Sequence, residues 1–205
     1  MSPPNTAPAA RRVALAPQRR PGKERVAALL RAGAEVIAER GFEATTMAEI
    51  AARAGAPIGS LYRFFPNKDA LADQLMQRYT DLIEAAFEKI DAGAQASSLE
   101  AFADALLTPL VDLCGETHAA VVALLDARAD GPAWRKQLAE ELRRRIIGAL
   151  KQKAPQLRED EAHAMAVLML QNMKARKSLD AERDADVIAE LHAMTRLYLK
   201  SKLGG

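Results

Sequence analysis

From about residue 23 onward, apolar residues recur at spacings of three and four, the pattern of helices that bury one face. Val26, Leu29, Leu30, Gly33, Val36 and Ile37 form the first stripe and predict a helix from Gly22–Lys23 to about Arg40. Gly41 stands where a left-handed residue ends a helix, with Phe42 packing back beyond that cap. Thr45-Thr46 followed by Glu49 spells a capping box for a short helix, Met47 to about Ala54, closed by Gly55. Pro57 suits the start of a second short helix, Pro57–Phe64, because its missing N–H has no helical partner there. Pro66-Asn67 breaks that helix and introduces a long one, Lys68 to about Ala92, striped by Leu71, Leu75, Leu82, Ile83, Ala86, Phe87 and Ile90.

The remainder reads as further helices. Ser97-Ser98-Leu99-Glu100 reads as another capping box, opening a helix to about Cys114 that Pro109 should kink. His118–Ala127 is expected as a short buried helix, and Pro132-Ala133-Trp134 begins one that runs to about Lys153. Two more follow, about Glu159–Leu179 and Asp184–Leu203, joined by a break short enough for an antiparallel pair. The first carries Ala162, Met165, Ala166, Met169, Leu170 and Met173; the second carries Val187, Ile188, Leu191, Met194, Thr195 and Tyr198.

Composition narrows the class. Apolar residues are 49% of the 205, enough for a substantial core, while aromatics are only 4%, which favours helices over sheets. The expected fold is all-α: an N-terminal three-helix domain with a helix-turn-helix, then a larger helical bundle domain. The single cysteine, Cys114, excludes an intramolecular disulfide framework, and the longest apolar run, Ala119–Leu125, is too short to span a bilayer. The N-terminus carries arginines without an apolar core of a signal sequence, so a cytoplasmic location is expected.

Net charge is only +2, yet it is unevenly spread. Residues 1–80 carry 12 Lys/Arg against 7 Asp/Glu, a net of +5; residues 81–205 carry 17 against 20, a net of −3. Arg11, Arg12, Arg19, Arg20 and Lys23 lie in the first 23 residues, which are proline-rich and hold no acid, and residues 1–22 read as a flexible basic arm. Such an arm fits phosphate contact and simple solubilisation equally well.

Two short helices around a glycine turn are the sequence form of a helix-turn-helix, although an αα-hairpin in an ordinary bundle has the same pattern. Ala51 and Ala52 allow close approach of the pair, and Gly59 and Ser60 keep the second helix slim enough to enter a major groove. At these residues the chain resembles the DNA-binding domain of TetR-family transcriptional repressors. Gly41-Phe42, Thr45-Thr46, Ile50-Ala51, Gly55, Gly59, Leu61-Tyr62, Phe65, Lys68 and Leu71 carry the resemblance, in order and at family spacing. Ala56-Pro57 departs from it, since many members have a small aliphatic residue followed by serine there, and a hydroxyl that could meet DNA is lost.

The resemblance implies a dimeric, mostly repressing regulator: arm 1–22, DNA-binding domain 23–67, and ligand-binding and dimerisation domain 68–205. It implies that Thr46 caps the first short helix and meets a phosphate, and that Ile58, Gly59 and Ser60 face base edges. Tyr62, Arg63 and Phe64 fall where members touch the DNA backbone, with Phe64 fitting core equally well, and Lys68 would add charge facing phosphate. It further implies homodimerisation through the last two helices, which would space two recognition helices for the half-sites of a palindromic operator.

A small-molecule effector would release the operator, and Phe87, Phe102, Leu106, His118, Val122, Trp134, Met169 and Met173 lie on helices able to surround it. Each of those side chains fits plain core packing as well. Polar groups such as His118, Gln171 and Asn172 could orient such a ligand.

No enzyme, cofactor or metal site is expected. There is no glycine-rich phosphate loop after a strand and no nucleophile elbow, and His118, His163 and His192 lack the spacing of a helical zinc pair. A helical protein-interaction module without DNA binding is the alternative reading.

Overall fold

A computed structural model describes residues 20–107 and 115–204. Among them are nine helices and no strand. We number these α1 (Arg20–Arg40), α2 (Met47–Arg53), α3 (Ile58–Phe64), α4 (Lys68–Gly93), α5 (Leu99–Leu107), α6 (Gly115–Ala127), α7 (Gly131–Lys153), α8 (Glu159–Ser178) and α9 (Ala185–Leu203).

Helix α1 starts at Arg20, inside the stretch expected to be an arm. Pro21 permits this because the N–H groups of a first turn have no helical acceptor, and proline's fixed φ already suits a helix. Gly41 ends α1 at φ 77°, its N–H donating to the Ile37 carbonyl at 2.9 Å. The α2–α3 turn closes on Gly55 at φ 57°, where Ala56 N donates to Ala51 O and Gly55 N to Ala52 O, the paired bonds of a Schellman cap. Asn67 caps α4, its Oδ1 accepting from Ala70 N at 2.8 Å.

At α5 the cap falls one residue later than expected. Ser98, not Ser97, accepts from Ala101 N through its hydroxyl, at 3.1 Å, because the helix begins at Leu99. The expected extension to Cys114 and the kink at Pro109 lie outside the described residues. The other helix bounds agree with expectation to within a few residues.

Helices α1 to α3 form a three-helix unit whose first member lies along α6 and also touches α4. Gly33 makes the α1–α4 approach possible: a β-carbon there would sit 2.9 Å from Leu71 Cδ2, and Leu71 is fully buried. Helix α4 then runs on into the body, against α5, α6 and α7. Helix α8 packs on α5 and α7, and α9 closes over α5 and α8. One hydrophobic cluster runs through both parts, from Leu29, Ile37, Ile50 and Leu61 to Phe87, Phe102, Met169 and Met173. No helix among the described residues is long and apolar enough to cross a membrane.

Candidate nucleic-acid interface

Alternation along α3 separates anchors from presented side chains. Leu61 and Phe65 are buried beneath it, while Ile58 and Tyr62 stand 45% and 48% exposed. Gly59 is exposed, Ser60 half-buried and Arg63 exposed, so the outer face is narrow at its start. Phe64 corrects the expectation of a backbone contact: it is 6% exposed, part of the core, with the Arg63 guanidinium 4.6 Å from its ring centroid. One helical turn carries both Leu61 and Phe64 into the core, so the ring cannot also face outward.

Thr46 is the N-cap of α2, with extended backbone at φ −115° and ψ 151°. Its hydroxyl accepts from Glu49 N at 3.2 Å, and Glu49 returns a carboxylate to Thr46 N at 3.0 Å. The Thr46 hydroxyl also donates to Glu49 Oε2 at 2.8 Å, holding the Glu49 carboxyl below the usual range. Its proton is thus committed beside a carboxylate that Arg40 also pairs, which makes Thr46 a cap first.

Lys68 sits otherwise than its sequence position implies. Its ammonium donates to the carbonyls of Phe42 at 2.7 Å and Glu43 at 3.1 Å and lies 4.5 Å from the Phe42 ring centroid. The charge ties the first turn of α4 to the turn before α2. Arg53 similarly grips Glu39 through two bonds, at 2.8 and 2.7 Å, and approaches Glu35, which fixes α2 on α1 and depresses the Glu39 carboxyl. Sequence reading missed these roles, because the partners lie 14 to 26 residues away with no local pattern.

Residues 29–75 match the sequence profile of bacterial regulatory proteins, tetR family. The chain carries a TetR-family N-terminal domain. Among curated relatives of this chain, the transcriptional repressor KstR2 of Rhodococcus jostii is 34% identical over 98 residues, 48% of this chain and 47% of that protein. KstR2 of Mycobacterium tuberculosis is 40% identical over 62 residues, 30% of this chain and 31% of that one. The aligned stretches therefore cover at most about half the length of these relatives.

The fold is shared more widely. A transcriptional regulator from Aquifex aeolicus VF5 superposes with a TM-score of 0.67 at 19% identity, covering 86% of this chain and 98% of that one. FadR from Bacillus subtilis, in complex with stearoyl-CoA, superposes at 0.58 with 16% identity, covering 87% and 98%.

The residues expected around an effector divide in three. Phe87, Phe102, Leu106, Met169 and Met173 are buried in the common cluster, and Trp134 packs against it half-buried. Val122 corrects the expectation, standing 38% exposed because α6 turns Val121, Leu124 and Leu125 inward instead. His118 faces α4, with Nδ1 2.6 Å from the hydroxyl of buried Tyr79 and its buried Nε2 lacking a partner among the described residues. Of the other polar candidates, Asn172 donates to Thr195 across α8 and α9 at 3.2 Å, and Gln171 is exposed.

Proposed function

We propose that the chain is a sequence-specific, operator-binding transcriptional regulator, a repressor released by a small-molecule effector and acting in the cytoplasm. The observation that carries this reading is α3, which buries Leu61 and Phe64 while presenting Ile58, Gly59 and Tyr62 on one narrow exposed face. Ile58 suits contact with a thymine methyl group, Ser60 a base edge, and Tyr62 and Arg63 the phosphates. In this reading the DNA-binding unit spans 23–67 and the sensing and dimerising body 68–205.

A homodimer through α8 and α9 completes the reading. Leu168, Val187, Met194 and Leu197 are exposed large apolar side chains on these two helices, a face that a second copy would cover. An effector in the body would displace α4 and alter the separation of the two α3 helices, weakening both half-sites together.

The test is selection of duplexes by the full chain from a random pool, followed by titration of the enriched sequence. An inverted repeat bound by a dimer, with affinity falling steeply as salt rises, is the expected result. Tyr62→Ala should abolish that binding and leave the dimer intact. Binding by a strict monomer, or no preference over random duplex, refutes the reading in favour of a helical interaction module.

A further inference from the structure

The turn from α6 to α7 holds three residues, Arg128 to Asp130, and it is stiff. Arg128 N donates to Leu124 O and Gly131 N to Arg128 O, each at 3.0 Å, and a β-carbon on Gly131 would collide with the carbonyl of Leu125. Arg128 projects from this turn and is only 12% exposed, unusual for a guanidinium on a surface turn. Its Nε and Nη2 donate to the two oxygens of Asp130 at 2.9 and 3.1 Å. Those bonds aim the remaining nitrogen, Nη1, at the first two turns of α4. There Asp73 Oδ1 lies 3.1 Å away and Asp69 Oδ1 4.0 Å away.

The two sides of this junction are not equal. Toward its own turn the guanidinium makes a fork of hydrogen bonds, the rigid kind of carboxylate pairing. Toward α4 its Nη1 makes ion contacts without hydrogen-bond geometry. Asp69 and Asp73 are four residues apart on one helix face, so without the arginine their charges repel each other. The same helix start is tied by Lys68 to the carbonyls before α2. A continuous path therefore leads from the α6–α7 turn, through the first turns of α4, to the helix-turn-helix.

We propose that Arg128 is a positioning residue, a latch whose contact with Asp69 and Asp73 sets the angle at which α4 holds the DNA-binding unit. The proposal rests on the DNA-reading function above and names the point through which the body regulates it. Engaged, the latch belongs to the conformation that reads DNA. A shift of the α6–α7 turn parts the weaker side first and lets the start of α4 move.

The test uses the full chain and three variants, Arg128→Met, Asp73→Asn and the charge-keeping Arg128→Lys, with two readouts. Hydrogen exchange at residues 68–75 should quicken in Arg128→Met and Asp73→Asn, with Arg128→Lys closer to the parent. Affinity for the selected inverted-repeat duplex should fall about tenfold in the first two variants while that for a scrambled duplex stays within about twofold, since the variants remove coupling and leave the charges that meet DNA in place. Unchanged exchange at 68–75 and unchanged specific affinity in both variants would overturn the latch. Equal loss on both duplexes would overturn it too, by making Arg128 a plain electrostatic or folding residue. If the parent chain selects no sequence at all, the DNA reading fails instead, and the exchange at 68–75 alone decides whether Arg128 holds α4.

Discussion

Lys68 separates two roles that one position can play, and the difference is measurable. Lys68→Met removes two hydrogen bonds to the carbonyls of Phe42 and Glu43 and the cation over the Phe42 ring, while keeping most of the apolar stem. A hydrogen bond to a charged group contributes about 1.5–3 kcal/mol when well shielded. Lys68 is half-buried, so the low end of that range applies to the pair. The cation–ring interaction adds about 0.5–1 kcal/mol at a partly exposed site. Together the expected loss is about 2–2.5 kcal/mol, which for a chain of this size lowers Tm by roughly 4–10 °C. Thermal melts at one fixed protein concentration would read this, since the proposed dimer would make Tm depend on concentration. The companion assay is the slope of log affinity against log salt on the selected duplex, which drops by about 0.9 for each phosphate no longer neutralised. A positioning role predicts a lower Tm with the slope retained. An unchanged Tm with a slope reduced by about one would refute the reasoning and restore Lys68 to the phosphate.

Neighbouring residues on α3 should behave oppositely: Phe64→Ala should cost about 3–5 kcal/mol in urea unfolding, whereas Tyr62→Ala should stay within about 0.5 kcal/mol, and similar losses for both would contradict the burial pattern. Gly33→Ala places a β-carbon against fully buried Leu71, so overpacking of about 1–3 kcal/mol should outweigh the roughly 1 kcal/mol gained in helix propensity; a rise in Tm would show that α1 and α4 can part freely. Asp104 on α5 accepts two bonds from Arg196 and contacts His192 Nδ1 at 2.9 Å on α9, and the Arg196 bonds, then the His192 bond, depress its carboxyl despite partial burial. A carboxyl lowered on folding contributes stability above its unfolded value, near pH 4, and loses it as pH falls through the depressed value. Urea midpoints of the parent and Asp104→Asn should therefore differ most at neutral pH and converge in acid; a gap that persists at pH about 2 would count against this pairing.

The helical pattern, the caps at Gly41 and Thr46, and the turn at Gly55 were legible in residue order because each depends on neighbours within a few positions. The same locality made the helix-turn-helix readable, down to a slim outer face on α3. Local sequence stops being informative where a side chain has two plausible destinations. Phe64 and Val122 are both apolar residues on amphipathic helices, and only the rotation of each helix against its neighbours put one inside and the other out. Long cations are harder still. Lys68, Arg53 and Arg128 find partners on other elements, carbonyls in the turn before α2 and carboxylates on α1 and α4, and nothing near them in the sequence names those partners.

What residue order determined by itself, then, is the set of helices, their ends and the buried stripe of most of them, since backbone propensity and periodic burial are short-range. What the tertiary structure decided is where charge is spent. An ammonium or guanidinium on a flexible stem takes whichever carbonyl or carboxylate the packing brings within reach, and that packing is set by the hydrophobic core as a whole. Thus a lysine that the family resemblance would turn toward phosphate is tied instead to carbonyls, and an arginine in an unmarked turn faces the start of α4.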